Sequence, residues 1–354
     1  MKIGSFTFLL TEACNFACGY CYQRRGEREI EFFTIDKAVD FFLPLLRKNG
    51  FVNFYGGEPL LAFSKIRRTV DLIRKKNSGK KKIIYSLSTN GSLLNNEVLN
   101  FLDQNRFRVL VSFDGFCQDV TRQKGSFDPL VSVIKRTKEF PGIRLRTHSV
   151  FTAETVGQLA ASLAFIMELG PADIGFALST LPPWDAEALF QLKKQLRVLA
   201  GTVTKFYQRN RCIPLVAFRT PPERVLYECT AGSDRFALAA DGTLWGCHVF
   251  ADCCQGGTAE STRERYCFGH LDAVVKEDGR FGKNIRGNYR MLGRHSYRSG
   301  SRNCLLCPDL HECRVCPADA AAATGRVGEI PPWVCRIQRI IRQERRRFWS
   351  AREA

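Results

Sequence analysis

The stretch FTFLLTEACNFACGYC, residues 6–21, decides how the rest of the chain is read. It opens with an apolar, β-rich run, Phe6–Leu10, and passes directly into three cysteines, Cys14, Cys18 and Cys21. A strand that empties into a polar, ligand-bearing loop is how a βα unit presents function, at the carboxyl end of the strand. The rhythm continues outward. Further β-rich runs at 51–55, 83–87, 108–113, 145–151 and 173–178 alternate with helical spacing at 38–46, 66–76, 94–103, 129–138, 154–169 and 185–208. Thr34 is the expected cap of the first helix. Six successive βα units imply a parallel sheet with right-handed crossovers, which six units close into a partial (β/α)6 barrel of the α/β class. The expected strand ends carry Gly56-Gly57-Glu58-Pro59, Ser88-Thr89-Asn90 and Ser112-Phe113-Asp114-Gly115.

The 354 residues correspond to roughly two domains at about 150 residues each, enough to bury a full core. Hydrophobic content of 45% and charged content of 25% exclude a wholly disordered chain or a coiled coil. No apolar run approaches the ~20 residues that span a bilayer, and no secretory signal opens the chain. A cytoplasmic location and no membrane partner are therefore expected. The fifteen cysteines are an odd number and cluster, as Cys14-x3-Cys18-x2-Cys21 and Cys304-x2-Cys307-x5-Cys313-x2-Cys316. In a reducing compartment such spacing indicates metal or iron–sulfur ligation rather than disulfides. Three cysteines on one loop can hold three irons of a [4Fe–4S] cluster and leave the fourth open. Cys117 has no neighbour in sequence and reads as a buried apolar residue.

The formal charge is +18. Much of it falls on expected helix surfaces, such as Lys65, Arg67, Arg68 and Arg74 to Lys76, and so reads as solvated face; the balance also suits an acidic peptide, a nucleic acid or an anionic surface. The pattern changes after about residue 210. Residues 219–222 read as a linker, and 236–247 as a hairpin turning at Asp241-Gly242. Residues 252–302 show little periodicity, and 334–354 form an arginine-rich helix. The expected organisation is a barrel over 1–210, a linker over 211–228, a cysteine-rich auxiliary domain over 229–340 and a basic tail over 341–354.

The cysteine order, with Tyr20 before the third cysteine and Gly56-Gly57-Glu58-Pro59 one βα unit later, resembles the radical S-adenosylmethionine (SAM) superfamily over residues 5 to about 180. The resemblance implies that Cys14, Cys18 and Cys21 hold a catalytic [4Fe–4S] cluster whose open iron binds S-adenosylmethionine. One electron then cleaves the cofactor, and a 5′-deoxyadenosyl radical takes hydrogen from the substrate. It further implies that Gly56, Gly57 and Pro59 let backbone approach the cofactor, that Glu58 accepts from its ammonium, and that Tyr20 lies near its adenine. Ser88, Asn90, Ser112 and Asp114 would line its ribose and methionine. Of Arg144, Arg146 and His148, which share one face of the fifth strand, Arg146 would face its carboxylate.

The later cysteines, Cys229-x12-Gly242-x4-Cys247, then Cys304, Cys307, Cys313 and Cys316, then Cys335, resemble the SPASM domain, although the last close spacing is x2 where the family more usually has x3. The resemblance implies two auxiliary [4Fe–4S] clusters, one on Cys304, Cys307, Cys313 and Cys335, the other on Cys229, Cys247 and Cys316. The fourth ligand of the second is left open among Glu223, Cys212, Cys253, Cys254 and Cys267, or is the substrate. Zinc is the alternative reading of the paired cysteines.

The family reading implies a radical SAM oxidoreductase that installs a crosslink or oxidation in a ribosomally synthesised peptide or protein. The alternatives are a radical dehydrogenase or modifying enzyme of a small molecule, and a non-catalytic metal-cluster scaffold that binds nucleic acid. The last is disfavoured, because only Arg345–Trp349 interleaves basic and aromatic residues. The implied partners are a flavodoxin or ferredoxin as low-potential donor and a substrate with an acidic leader. Because the triad begins at Cys14, a separate leader-binding protein is also expected. His248 stands where the sulfatase maturases carry an aspartate base. The tail, Arg336 to Arg352, reads as a leader-binding surface or as a solvated helix that covers the barrel end.

Overall fold

A computed structural model describes residues 2–353 except 24, 78, 182, 221–227, 256–259, 277–282, 291, 293–296 and 301. The first half alternates β1 (Ile3–Leu9), α1 (Phe32–Phe42), β2 (Leu46–Tyr55), α2 (Phe63–Asn77), β3 (Ile84–Thr89), α3 (Asn96–Gln104) and β4 (Arg108–Ser112). It continues through α4 (Gln118–Thr121), α5 (Phe127–Arg136), β5 (Arg144–Phe151), α6 (Leu159–Leu169), β6 (Asp173–Leu178), α7 (Ala186–Asn210) and α8 (Val216–Arg219). The second half is shorter-stepped: β7 (Arg235–Leu238), β8 (Thr243–Trp245), α9 (His248–Gln255), α10 (Glu260–Tyr266), β9 (Cys267–His270), α11 (Leu271–Lys276) and α12 (Lys283–Arg290). A two-stranded ribbon, β10 (Arg298–Ser299) and β11 (Arg302–Asn303), precedes α13 (Pro317–Thr324) and α14 (Pro332–Glu353).

The expected parallel barrel sheet is present. Strands run in the order β6-β5-β4-β3-β2-β1, and each neighbouring pair is parallel. The period-two alternation of a strand assigns each residue a face. One row, including Phe6, Phe8, Val52, Phe54, Leu87, Val109 and Val111, is fully buried beneath the helices. Phe6, for example, stacks on Phe42 of α1 with centroids 3.9 Å apart. The other row faces the barrel lumen and is mixed: Ser5, Asn53, Ser86, Ser88 and Ser112 stay half-buried along it beside Phe51, Tyr55 and Leu110.

Three differences from the sequence reading have physical causes. Helix α1 starts at Phe32, so Thr34 lies inside it and does not cap it, and Pro44 prevents its extension to residue 46. The hairpin turns at Asp241-Gly242 as expected, with Gly242 at φ +78° and Asp241 Oδ1 accepting from Thr243 N at 3.0 Å. Its first strand, however, also pairs in parallel with β1, from Ser5↔Arg235 to Phe8↔Leu238. The otherwise open edge of β1 is thereby covered, and the cysteine-rich half shares the barrel's sheet. Within 252–302, where periodicity was weak, α10, β9, α11 and α12 are each too short to display a full pattern. Much of the 219–222 linker lies outside the described residues.

The basic tail is one continuous helix, α14, that runs through the expected boundary at 340/341. It packs along α7, where Arg197 pairs with Glu344 at 3.1 Å and Phe348 meets Phe218 edge-on at 5.0 Å. Its other side grips the segment between Cys307 and Cys313. Arg342, 7% exposed, lies 2.6 Å from Asp309, Arg339 reaches the same carboxylate at 3.1 Å, and Arg346 pairs with Glu312. These arginines are engaged within the protein. Arg342→Ala should lower unfolding stability by about 2 kcal/mol, because a buried partner is lost while Arg339 and Arg346 still serve the two carboxylates. Chemical denaturation would measure it, and an unchanged midpoint would contradict the clamp.

Candidate active site

The triad loop leaves the carboxyl end of β1, as the sequence predicts. Cys14 and Cys18 are half-buried and Cys21 is exposed. The three thiols sense one another electrostatically. Burial pushes the Cys14 thiol up, helped by Glu58 and Cys21; burial also pushes Cys18 up, while the Arg122 cation pulls it back. Among the described residues no three or more His, Cys, Asp or Glu side chains converge tightly enough to hold a single metal ion. A four-iron centre spaces its thiolates more widely, and its donor chemistry, three cysteines on one loop beside a buried cation, is present here.

Two buried carboxylates brace this loop. At its start, Gly57 N donates to Thr11 O and Glu58 N to Ala13 O, each at 2.8 Å. Gly56 sits at φ +134°, and a Cβ on Gly57 would overlap the Ala13 carbonyl, so both positions need glycine for close approach to residues 11–13. Their close neighbour in the protein is the chain itself, at residues 11–13. Glu58 is fully buried. Its Oε1 accepts from Leu60 N at 3.0 Å and Thr89 Oγ1 at 2.7 Å, and its Oε2 from Asn90 N at 2.7 Å. Pro59 opens the turn that follows. Glu58 thus braces one strand end to the next. The Asn90 amide donates to Asn15 Oδ1 at 2.8 Å and lies 4.0 Å from Cys14 Sγ.

At the far end of the loop, Asp114 is fully buried beyond β4. It accepts from Tyr20 OH at 2.6 Å, Thr121 Oγ1 at 2.7 Å, Val150 N at 2.8 Å and Arg122 Nη2 at 3.0 Å. The Arg122 guanidinium lies 5.3 Å over the Tyr20 ring, and Gly19 N donates to Thr121 O at 3.0 Å. Tyr20 and Asp114, expected to line a cofactor, have their polar groups engaged with each other. Ser88 and Ser112 remain on the lumen row. Arg146, the third of the eight residues of β5, pairs with Asp173 at 3.4 Å. His148 is level with Ser112. Burial and the Arg122 charge push it down to about 4.

Sequence reasoning missed Arg122, which lies on a short loop without periodicity, and Asp252 on α9. Asp252 Oδ2 accepts from Gln23 Nε2 at 3.2 Å, and burial lifts its carboxyl to about 7. One helical turn earlier, the His248 ring lies 4.7 Å from Tyr55. These contacts carry α9 over the carboxyl end of the barrel, next to the triad loop.

The later cysteines fall into two groups. Burial pushes Cys247 up to about 12, with Cys316 and Cys229 both near enough to add to it. Cys335 is raised by burial and by Cys313 and Cys307, and it packs with Cys304 and Cys313 around Tyr297, Val315 and Val334. The structure thus gathers Cys229, Cys247 and Cys316 in one place and Cys304, Cys307, Cys313 and Cys335 in another. Cys267 faces Gly269, Arg263 and Asp241, apart from both groups, and Cys212 is exposed beyond α7. Glu223 and the side chains of Cys253 and Cys254 lie outside the described residues. Cys117 is buried, as expected.

Residues 8–166 match the profile of the radical SAM superfamily. A cysteine-type anaerobic sulfatase-maturating enzyme of Clostridium novyi is 31% identical over 137 residues, which cover 34% of this chain and 37% of that protein. The mycofactocin maturase MftC of Mycolicibacterium smegmatis is 31% identical over 169 residues, 46% of this chain and 42% of that one. The chain spans about a third of the length of the first curated relatives it matches. The solved structure of native anSMEcpe with bound AdoMet superimposes with a TM-score of 0.76 at 16% identity and covers 99% of each chain, so the two share a fold from end to end. The same protein has been solved with AdoMet and Cp18Cys peptide.

Glu58→Ala should cost about 3 kcal/mol of stability, because Leu60 N, Thr89 Oγ1 and Asn90 N lose their common acceptor in a dry site. A wild-type denaturation midpoint would contradict this. Burial lifts the Glu58 carboxyl to about 7 from an ordinary 4.5, so the folded state holds its proton more tightly. Its contribution to stability should fall as pH rises from about 4.5 to 7. Denaturation of Glu58→Gln across that window should show a flatter slope than wild type; an identical slope would refute the assignment. The cysteine spacing, the strand-end position of its loop and the profile match agree: residues 8–166 are similar to the radical SAM superfamily.

Proposed function

We propose that the chain is a radical S-adenosylmethionine maturase that installs a crosslink or an oxidation in a peptide or protein. The observation that carries this reading is the triad loop, held at both ends by Glu58 and Asp114, above a lumen row that includes Ser86, Ser88 and Ser112. In this reading Cys14, Cys18 and Cys21 hold the catalytic cluster. Cys304, Cys307, Cys313 and Cys335 hold a distal auxiliary cluster, and Cys229, Cys247 and Cys316 hold a nearer one whose remaining position is open. When bound, the cluster and S-adenosylmethionine supply one-electron reductive chemistry and a carbon radical that takes hydrogen from substrate.

The chain's own part is positioning and proton handling. Arg122 offsets thiolate charge beside Cys18. Ser88 and Ser112 offer hydroxyls to a polar ligand in the lumen. His248, which burial and Arg235 push down to about 4, is neutral at physiological pH and can accept a proton, as can Asp252. A peptide or protein substrate fits the relatives, whose names are those of maturases, and the solved anSMEcpe complex with a peptide. A low-potential flavodoxin or ferredoxin is the proposed donor.

Replacing Cys14, Cys18 or Cys21 with Ala should abolish 5′-deoxyadenosine formation; continued formation in any of the three would sink the cluster assignment. Cys304→Ala should retain more of the uncoupled cofactor cleavage than of product formation. For the substrate class, the test is the intact mass of a short peptide encoded beside this chain and co-expressed anaerobically with it. A loss of two hydrogens that disappears in Cys14→Ala supports the maturase. Accumulation of 5′-deoxyadenosine with an unchanged peptide mass would move the reading to a small-molecule substrate.

A further inference from the structure

The amino-terminal end of the barrel, opposite the triad, gathers arginines. Arg108, Arg144 and Arg146 occupy lumen-facing positions at the starts of β4 and β5, with Arg108 and Arg144 paired in register. Arg235 starts β7 on the same face, opposite Ser5. Arg219 joins them from α8. Among the described residues, Asp173, 9% exposed, meets three of them, Arg219 at 2.7 Å, Arg144 at 3.0 Å and Arg146 at 3.4 Å, while Asp234, next to Arg235, pairs with Arg47 at 2.9 Å. Arg108 lies over the Phe51 ring at 5.1 Å and Arg235 is exposed.

A structural ion-pair network balances its charges, and this one does not. Three guanidiniums share two carboxylate oxygens, and two more stand beside them. Arg144, Arg146 and Arg219 keep 53%, 39% and 40% of their side chains exposed, although Arg219 also donates to the backbone carbonyls of Ile213, Ala172 and Pro214. Concentrating this much like charge on one rim costs repulsion that a bound anion would relieve. The opposite end of the lumen is covered by the triad loop and α9, joined through Gln23–Asp252 and Tyr55–His248. Ser86, Ser88 and Ser112 lie on the lumen row between the two ends.

Resting on the maturase reading above, we propose that this rim admits the substrate and reads it as an acidic peptide, its side-chain carboxylates paired with Arg108, Arg144, Arg146, Arg219 and Arg235. Guanidiniums suit this because their forked donors match carboxylate geometry. The distance sets a register. From Arg144 to Phe151, the triad end of β5, the strand runs about 23 Å at ~3.3 Å per residue. An extended substrate therefore carries its acidic residues about seven positions from the modified one.

The test uses cluster-loaded holoenzyme under anaerobic conditions at low salt, with fluorescein-labelled hexaglutamate as probe and anisotropy as readout. Arg108→Gln/Arg235→Gln is the main variant, since neither residue pairs with Asp173, and Arg144→Gln is the second. Lys75→Gln/Lys80→Gln removes two exposed charges from the outer helix layer at the same end of the barrel, as control. The rim pair should weaken hexaglutamate binding by about three- to twenty-fold and the control by less than about two-fold. Hexaglutamine should bind far more weakly, and salt should erase the difference. Equal losses in rim and control variants would overturn the proposal. So would equal binding of hexaglutamine, or tighter binding of an oligothymidylate with the same rim dependence. Cofactor cleavage by the same wild-type preparation separates the two readings. If wild type cleaves S-adenosylmethionine while the rim variants bind like wild type, the rim fails and the radical enzyme stands. If wild type does not cleave, the radical reading fails whatever the probe shows.

Discussion

A carboxylate with no exposure to solvent, Asp114, sets the geometry on which the candidate site depends. Removing such a group from water is costly unless a cation and several donors replace the lost hydration. Arg122 supplies the cation at 2.9 Å, and Tyr20, Thr121 and Val150 supply the donors. Those donors come from the triad loop, from α4 and from β5, so satisfying one charge fixes three segments at once. At the other end of the loop, the Glu58 carboxyl ties Thr89 and Asn90 at the end of β3 to the turn after β2, and the backbone N–H groups of Gly57 and Glu58 hold the carbonyls of residues 11 and 13. The cysteines between these anchors are thus held by protein contacts that do not require a metal.

The two ends of the barrel contrast in chemistry. The carboxyl end carries neutral or charge-balanced groups beneath α9, while the amino end carries an excess of guanidinium. The cysteine-rich half is bound to this frame through backbone and side chains alike. Strand β7 extends the barrel sheet beside β1, and α14 clamps both α7 and the segment between Cys307 and Cys313. A rigid connection of this kind fixes the spacing between the triad and the two later cysteine groups.

Much of this was legible in the sequence where local pattern decides structure. The six-unit rhythm, the hairpin at Asp241-Gly242 and the grouping of the later cysteines rest on periodicity, turn chemistry or family spacing. What was not legible depends on long-range pairing. The sequence of β7 reads as half of a hairpin, and nothing local announces that β1 is its other neighbour. Gly56-Gly57-Glu58 reads as a ligand loop, and nothing local announces its packing against the carbonyls of residues 11 and 13. Arg146 and His148 share a strand face, and the partner of Arg146, Asp173, comes from the next strand, β6. Arg122 gave no signal because its partner, Asp114, lies eight positions earlier, across a 3-10 turn and the short helix α4.

The central claim is that the loop braced by Glu58 and Asp114 holds a four-iron cluster with one iron open to S-adenosylmethionine. Electron paramagnetic resonance of the dithionite-reduced, iron-loaded protein, with and without S-adenosylmethionine, tests it most directly. The account expects a reduced-cluster signal that changes shape when the cofactor is added. In a Cys14→Ala/Cys18→Ala/Cys21→Ala protein that cofactor-responsive component should vanish, and the signals from the later cysteine groups should remain. A cofactor-responsive signal that survives loss of the triad would contradict it.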